Sequence, residues 1–329
     1  MKLAIVILNW NGKKLLETFL PSVIEHSKRH PIYVIDNGST DASVPFLKTQ
    51  FPTVQCIQLM QNLGYAGGYN EGLKHVNETV YCLLNSDVEV TKNWLKPVIG
   101  AFESNPNTAI IQPKILNYND KTKFDYAGAG GGFIDQLGYP YCRGRIFNAI
   151  EKDHGQYDDQ KDVFWASGAC FFVRAYVFET LGGFDSKFFA HMEEIDLCWR
   201  AQNNGLTVSY IGTSTVYHVG GASLKTSNPK KTYLNFRNSL YTVVKNTHSQ
   251  LFTIVFIRLV LDGIAGIRFL LQGQPKHMIA ILKAHGRFYH ALPYLLRFRK
   301  QHPTRITFRL LPSIVWSHFV SKISNFKKL

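Results

Sequence analysis

Short apolar runs alternate with helical segments over the first third of the chain. The apolar runs are rich in β-branched residues and lie at residues 3–8, 32–35, 54–59 and 79–84. Residues 13–29 and 42–50, between them, carry apolar side chains at helical spacing. Buried strands that alternate with helices are typical of parallel sheets covered on both faces. The pattern therefore predicts an α/β fold with an open, mostly parallel twisted sheet flanked by helices.

The pattern changes twice further along the chain. Residues 164–173 and 207–219 are strand-like, 188–203 form a loop that enters a helix, and 125–138 form a glycine-rich loop or irregular strand pair. Residues 251–271 and 276–300 are long, apolar and basic, which favours helices. We therefore predict two halves of one domain, 1–114 and 115–245, followed by a helical C-terminal extension, 246–329.

The segment 251–271 is apolar enough to suggest a membrane span, but it contains Arg258, Asp262 and Arg268. Each charge costs roughly 2.5 to 3.5 kcal/mol in the middle of a bilayer, which argues against spanning. On a helix these residues fall within about a third of the circumference. The segment is therefore predicted to lie in the membrane interface or to pack on the domain through one polar stripe.

Charge is concentrated at the C-terminal end. Residues 246–329 contain thirteen Lys and Arg against one acid, and so carry most of the net charge of +14. A segment that is both basic and apolar indicates an anionic membrane surface as partner, and not nucleic acid. The alternative is a packing module or homodimer interface whose basic residues are solvated.

The remaining compositional features favour the cytoplasm. The five cysteines are widely spaced and form no paired motif, so we expect reduced thiols. The first two residues run directly into a strand-like stretch, so no N-terminal signal peptide is expected. With the basic C-terminal end, this predicts a cytoplasmic protein that is peripheral on the inner face of the cytoplasmic membrane.

Three polar clusters follow the predicted strands, at residues 9–12, 36–41 and 85–87. In open α/β sheets, ligands bind beyond the carboxyl ends of the strands. Asp87 is well placed to bind Mg²⁺ or Mn²⁺, although a strand-terminal Asp also commonly caps a turn. Asp36 and Asn37 can hydrogen-bond a nucleobase or ribose, or form a turn before the next helix.

Two further clusters carry candidate chemistry. Glu193 and Glu194 lie near the start of a predicted helix, where a carboxylate could act as general base. The alternative is a surface helix with an i,i+4 ion pair between Asp196 and Arg200, for which a structural role is favoured. His218 ends a predicted strand and could contact a metal or a diphosphate. Arg237 could bind a phosphate in a bidentate contact.

The order of these clusters resembles the inverting family 2 glycosyltransferases of the GT-A fold, especially their rhamnosyltransferase-like bacterial branch. The matching stretches run from residue 3 to about 242, and in this chain are IVILNWNG, VIDNGSTD, NLGYAGGYNEG, LLNSDVEV, WASGACFFVR, GGFDSKFFAHMEEIDLCWR, VYHVGG and YLNFRNSLY. Each stretch alone is weak evidence. Their co-occurrence in this order is specific.

The resemblance implies a role for each matching residue. The implied nucleotide-sugar-binding residues are Asn9, Asp36, Asn37, Asn62, Gly67, Asn70, Asn85 and Arg237. Asp87 matches the last, metal-binding aspartate of the DxD motif, and His218 matches a histidine that contacts the metal or diphosphate. Glu194 matches the general base of the ED motif, with Glu193 as the second candidate. The residues implied to face the acceptor are Trp165, Ser167 and Gly168.

The sequence analysis therefore predicts an enzyme that uses Mg²⁺ or Mn²⁺. It would move a sugar from a nucleotide-diphosphate sugar to a glycan or polyprenyl-linked acceptor, with inversion, in cell-surface polysaccharide synthesis. One alternative is a nucleotidyltransferase, but residues 9–14 do not resemble the glycine-rich triphosphate loop it would need. The other is a degenerate membrane-bound glycan-binding scaffold, suggested by Asn85 in place of the first DxD carboxylate. Asp87, Glu194 and His218 argue against it.

Overall fold

The computed structural model describes residues 1–220, 228–305 and 311–329. The strands are β1 (Leu3–Asn9), β2 (Ile32–Asp36), β3 (Gln55–Gln58), β4 (Val80–Asn85), β5 (Val88–Val90), β6 (Thr108–Asn117), β7 (Gly132–Ile134), β8 (Pro140–Cys142), β9 (Arg145–Ile146), β10 (Ala149–Ile150), β11 (Gln160–Asp162), β12 (Cys170–Arg174) and β13 (Thr207–His218). The helices are α1 (Lys13–His26), α2 (Ser43–Gln50), α3 (Gly64–Gly72), α4 (Leu95–Ser104), α5 (Ala175–Thr180), α6 (Glu193–Asn203), α7 (Pro229–Asn246), α8 (Leu251–Leu271), α9 (Pro275–Gln301) and α10 (Ile314–Phe319). Short 3₁₀ turns lie at Leu73–His75, Ser186–Phe188 and Phe326–Lys328.

The main sheet has the strand order β11-β13-β6-β12-β4-β1-β2-β3, with β5 paired to β13. The strands β3, β2, β1 and β4 run parallel, which confirms the predicted first half of the sheet. Beyond β4 the sheet is mixed, because β12 lies antiparallel between β4 and β6. A second sheet contains β7 to β10. The insertion of β12 brings residues 167–169 beside the end of β4, where Asn85 N donates to Ala169 O at 3.0 Å.

Both faces of the parallel half are covered. On β1, Ala4 and Val6 belong to one core cluster, while Leu3, Ile5 and Ile7 belong to the other. Each large apolar side chain buried in this way stabilises the fold by about 1.5 to 3 kcal/mol. This double burial explains why the strand is an unbroken apolar run.

The glycine-rich segment after β3 folds as helix α3. A Cβ added at Gly72 would lie 2.2 Å from Ile35 Cδ1, and one at Gly68 would lie 2.8 Å from Leu8 Cδ1. The glycines therefore let α3 pack directly on the sheet. This close packing outweighs the low intrinsic helix propensity of glycine.

The predicted C-terminal helices are confirmed as α8 and α9. Helix α8 is unusual because its buried face is polar and its exposed face is apolar. Its buried residues are Arg258, Asp262 and Gly266, so two charged residues of the polar stripe face the protein, while the third, Arg268, is exposed. The apolar face points outward, and Phe252 is 91% exposed. Within the described ranges, no helix is long and apolar enough to cross a membrane.

Candidate active site

Asp87 and His218 meet at the carboxyl edge of the main sheet. Asp87 lies in the turn between β4 and β5, and His218 is the last residue of β13. The two strands β5 and β13 pair with Val88 opposite His218, which brings the two side chains together. Asp87 Oδ1 lies 3.3 Å from His218 Nε2, and both residues are buried.

A second carboxylate, Asp125, completes this cluster and was missed by the sequence analysis. His218 Nδ1 donates to Asp125 Oδ1 at 2.9 Å, across 93 residues of sequence. Burial alone would lower the pKa of His218, but the hydrogen bonds and charges of Asp125 and Asp87 outweigh it and raise the pKa to about 10. No spacing pattern links an aspartate in a glycine-rich segment to a histidine so far away, so only the fold reveals this pair.

The cluster of Asp87, His218 and Asp125 suits a divalent cation whose remaining coordination sites are filled by oxygen atoms of a bound ligand. Among the described residues, no three His, Cys, Asp or Glu side chains are arranged to hold a metal. Asp87 and His218 could supply two protein ligands once the cation displaces the proton on Nε2, while Asp125 would orient the imidazole from its other nitrogen, a common arrangement around protein-bound metals. Mg²⁺ is usually held in this manner, by few side chains together with phosphate oxygens and water. Asn85 lies beside the cluster, with its Nδ2 3.4 Å from His218 Nε2.

The residues at the ends of β1 and β2 form a buried hydrogen-bonded group. Asn9 Nδ2 donates to Asp36 Oδ1 at 3.1 Å. The side chain of Asn37 accepts from Leu63 N at 3.0 Å and donates to Asn62 Oδ1 at 3.2 Å, which joins the end of β2 to the start of α3. These four predicted donor-binding residues therefore lie together at the same edge. Their contact with a nucleotide stays a prediction.

Two other predicted nucleotide-sugar-binding residues, Asn70 and Arg237, pack around the segment that leads into α6, while Gly67 packs within α3. Asn70 Nδ2 donates to Phe184 O at 2.7 Å, and Arg237 Nη2 donates to Phe188 O at 2.9 Å. Gly67 is buried on α3, where a Cβ would lie 2.9 Å from Leu63 Cβ. In this structure the contacts of Asn70 and Arg237 support the segment just before Glu193 and Glu194. Binding of a nucleotide sugar by Asn70, Arg237 and Gly67 stays a prediction.

Glu193 and Glu194 open helix α6 in a strained setting. The three residues Phe189, His191 and Met192 just before the helix have φ values of 65°, 71° and 74°. Positive φ is uncommon for non-glycine residues, and each instance costs on the order of 1–3 kcal/mol. Such strain clusters at functional sites, which favours this loop as part of the catalytic machinery.

The two glutamates differ in burial. Burial raises the pKa of Glu194 to about 7, although backbone hydrogen bonds oppose the shift. Burial and the neighbouring charge of Glu194 raise the pKa of Glu193 well above its ordinary value. Glu193 is 3% exposed, while Glu194 is only partly buried. In each carboxyl group Oε2 has no hydrogen-bond partner in the described part of the chain.

Tyr65 connects the glutamates to the predicted acceptor segment. Its hydroxyl donates to Gly168 O at 2.8 Å, and its backbone N donates to Phe189 O at 2.7 Å. Burial raises the pKa of Tyr65 well above its ordinary value, and the nearby charges of both glutamates add to this shift. The glutamates therefore lie close to the segment that follows Trp165.

The acceptor segment itself is held by protein contacts. Trp165 Nε1 donates to Phe133 O at 2.7 Å, and Ser167 N donates to Gln112 Oε1 at 2.8 Å. The structure thus brings Trp165, Ser167 and Gly168 between the strand edge and α6. Contact with an acceptor stays a prediction.

The ion pair between Asp196 and Arg200 exists, but it is buried and not on a surface helix. Arg200 Nε donates to Asp196 Oδ2 at 2.9 Å, with both side chains almost fully enclosed. Asp196 also accepts from Lys245 Nζ at 2.9 Å. Asp196 and Arg200 therefore have the expected structural role, and Asp196 also links α6 to α7. The face of α6 that carries them is covered by the protein and not by solvent.

Comparison with known sequences supports the family resemblance. The sequence model of the family described as glycosyl transferase family 2 matches residues 4–182. The chain is 24% identical over 242 residues to the low-salt glycan biosynthesis hexosyltransferase of Haloferax volcanii, covering 72% of this chain and 73% of that protein. It is 26% identical over 236 residues to the N-acetylglucosaminyl-diphospho-decaprenol L-rhamnosyltransferase of Mycobacterium tuberculosis, covering 66% and 75% respectively.

Solved structures of similar shape show the fold. GalNAc-T7, crystallised with UDP, GalNAc and Mn²⁺, superposes with a TM-score of 0.61 at 15% identity and covers 98% of this chain, which spans 57% of that one. The mannosyltransferase of Pyrobaculum calidifontis, in complex with GDP-Man and Mn²⁺, gives a TM-score of 0.53 at 12% identity, covering 88% and 87%. The predicted GT-A fold class is confirmed by this likeness.

Proposed function

This chain belongs to glycosyl transferase family 2, and on that premise we propose that it transfers a sugar from a nucleotide-diphosphate sugar to a glycan or polyprenyl-linked glycan acceptor, with inversion. The observation that carries the proposal is that a possible metal site and a possible general base lie near the same edge of the main sheet. Asp87 with His218 suits a metal-bound diphosphate, and Glu194 with a pKa of about 7 suits a general base. The names of the relatives, one of which acts on a diphospho-decaprenol, support a lipid-linked acceptor in polysaccharide synthesis.

The proposed reaction is a single displacement. Glu194 accepts the proton of the acceptor hydroxyl, whose oxygen attacks the anomeric carbon on the face opposite the leaving nucleoside diphosphate. A base is most effective when its pKa lies near the working pH, as it does for Glu194. Glu193 is almost fully enclosed, which raises its pKa well above the ordinary value and makes it the less suitable base.

A divalent cation held by Asp87 and His218 would neutralise the charge that develops on the leaving diphosphate. Mn²⁺ in the solved GalNAc-T7 and mannosyltransferase structures is consistent with this use. Asp125 holds the imidazole of His218 in place through Nδ1. Asp36 and Asn37, at the end of β2, are proposed to face the base and ribose of the donor.

We further propose that the C-terminal helices dock the enzyme on the inner face of the cytoplasmic membrane. The outward face of α8 carries large apolar side chains, and the surrounding segment is strongly basic. Amphipathic helices with basic flanks bind anionic bilayers through both properties. Such docking would bring the active site close to a lipid-linked acceptor.

A comparison of Glu194→Gln with Glu193→Gln tests the proposed function. The assay follows release of nucleoside diphosphate from a panel of nucleotide sugars with membrane lipid extract as acceptor. Loss of the base should slow transfer by about 100-fold or more, while calorimetry shows donor binding unchanged. Glu193→Gln should keep most of the activity, since glutamine resembles a protonated glutamate. Full transfer by Glu194→Gln would refute the assignment.

A further inference from the structure

We propose that a lysine-lined groove between α7 and α9 binds the diphosphate group of a membrane-embedded, lipid-linked acceptor. The groove encloses about 450 Å³ and is lined by Lys230, Tyr233, Lys276, Ile279 and Lys283, with two smaller neighbours. The proposal rests on the function proposed above, because it names the headgroup of the acceptor on which that site would act. It concerns binding, however, and can be tested without sugar transfer.

The groove is built from two helices at regular spacing. Lys276 and Lys283 lie two turns apart on α9, so they share one face of that helix. Lys230 and Tyr233 lie one turn apart at the start of α7. Behind them, Thr232 Oγ1 and His277 Nδ1 form a buried hydrogen bond of 2.7 Å between the two helices. The walls of the groove are therefore fixed before any ligand binds.

The positive charge of the groove is not neutralised by the protein. None of the three lysines pairs with a carboxylate within the ranges that the structure describes. After Asp196 the sequence contains a single acidic side chain, Asp262. Asp262 is fully buried, where it accepts from Tyr139 and contacts His285. Lysine ammonium groups act as point charges toward phosphates, so a diphosphate complements this groove.

One wall of the groove contacts the loop that carries the catalytic candidates. Lys230 Nζ lies 5.0 Å from the centre of the Phe189 ring, and Asn238 Nδ2 on the same helix donates to His191 O at 2.7 Å. Both partners belong to the strained segment just before Glu193. A diphosphate in the groove would therefore lie beside the segment that leads to the glutamates.

The other side of α9 leads to the apolar surface. Leu282 and Tyr289 are exposed, and helical spacing separates them from Lys276 and Lys283 by about a third of the circumference, on the side of α8. The outward face of α8 continues this apolar surface. A ligand with a diphosphate head and a hydrocarbon tail fits this arrangement, whereas a free nucleotide has no hydrocarbon tail to contact the apolar surface.

Vesicle flotation of the full-length protein tests the proposal. The probes are phosphatidylcholine vesicles that contain undecaprenyl diphosphate, and phosphatidylcholine vesicles that contain an equal charge of phosphatidylglycerol. The groove variant is Lys276→Gln/Lys283→Gln, and its matched control is Lys327→Gln/Lys328→Gln, which removes the same charge from exposed positions outside the groove. Loss of two lysines at a phosphate site should weaken binding to diphosphate vesicles by about 30-fold.

The control pair should keep binding to the diphosphate vesicles within a few-fold of the wild-type protein. Lys276→Arg/Lys283→Arg should restore most of the binding, since the charges return. Equal losses in the groove and control variants would overturn the proposal. So would equal losses of the groove variant on both vesicle types, since the groove would then bind any anionic headgroup. Vesicle binding without sugar transfer by the wild-type protein would refute the proposed function and leave the groove in place.

Discussion

Burial separates two adjacent glutamates of the same residue type. Glu193 is enclosed by the protein, while Glu194 is only partly buried. Removal of a carboxylate from water favours its protonated form, and a second carboxylate nearby adds to this effect. The arrangement raises the pKa of both glutamates, to about 7 for Glu194, and a value near neutrality suits acceptance of a proton from a hydroxyl group.

The raised pKa of Glu194 makes the stability of the protein depend on pH. The folded pKa of about 7 exceeds the ordinary value of 4.5, so this group contributes stability below pH 4.5 that is lost as the pH rises through 7. Glu194→Gln should therefore raise the free energy of unfolding at pH 8, by at most about 3 kcal/mol, and change it little at pH 4. Urea unfolding at both pH values measures the difference. The exposed Glu17→Gln is the control, and the same pH dependence in both variants would contradict the prediction.

Asp125 is predicted to act through His218. Asp125→Asn weakens the hydrogen bond that orients the imidazole, so metal-assisted binding of nucleoside diphosphates should fall by about 10- to 100-fold. Calorimetric titration with UDP or dTDP in the presence of Mn²⁺ measures this loss. Asp120→Asn is the control, because the side chain of Asp120 is 42% exposed and pairs with Lys123 at the surface. Unchanged binding of the nucleoside diphosphates by Asp125→Asn would show that Asp125 does not contribute to the site.

At the scale of elements, buried charges join α6, which carries the two glutamates proposed for catalysis, to the C-terminal helices. Lys245 on α7 is fully buried and donates to Asp196 on α6 at 2.9 Å and to Asp185 at 2.8 Å. Tyr294 on α9 donates to the same Asp185 at 2.9 Å. The start of α6 is therefore fixed relative to α7 and α9. The C-terminal helices are part of the support of the active site.

Lys245→Met should destabilise the protein strongly. Methionine fills a similar volume but leaves Asp196 and Asp185 without their shared cation, and such breaks cost about 3–5 kcal/mol. Lys74→Met offers a surface comparison, since Lys74 pairs with Glu71 in solvent, where a pair is worth about 0–1 kcal/mol. Denaturant unfolding measures both variants. Similar small losses of unfolding free energy in Lys245→Met and Lys74→Met would show that the buried network contributes little to stability.

At the scale of the whole molecule, polar and apolar surfaces are unevenly distributed. The helix α8 buries Arg258 and Asp262 and exposes its apolar side chains, the reverse of the usual arrangement. Arg258 Nη2 donates to Ser239 Oγ at 2.7 Å, and its guanidinium lies 3.7 Å from the centre of the Tyr139 ring. These contacts fix the orientation of α8. A large exposed apolar surface in a folded protein marks an interaction site.

Phe252→Ser/Phe256→Ser should abolish most vesicle binding without loss of stability, since both rings are exposed. Two large apolar side chains removed from a membrane interface weaken binding by about 100-fold. Flotation with anionic vesicles measures the loss, and Met60→Ser/Tyr176→Ser is the control, because it changes exposed apolar residues elsewhere. If the wild-type protein fails to bind neutral and anionic vesicles alike, membrane docking is wrong.

The sequence by itself determined the elements of the parallel half and the long C-terminal helices, whereas the strand predicted at 164–173 begins only at Cys170. The predicted residues 251–271 coincide with α8, and the predicted strands at 3–8 and 207–219 agree with β1 and β13 to within a residue. Helices and strands follow local periodicity, which is visible along the chain. The ordered motifs also pointed to the family by resemblance, and the family model that matches residues 4–182 confirms it.

Only the tertiary structure decided which distant groups meet and which side of a helix is covered. Asp125 reaches His218 across 93 residues, and Lys245 reaches Asp196 across 49. The difference in burial between Glu193 and Glu194 is set by neighbouring elements, which no local pattern contains. The polar stripe of α8 was visible in the sequence, but periodicity is the same whichever face packs on the protein. Contacts from α7 and the segment around Tyr139 made that choice.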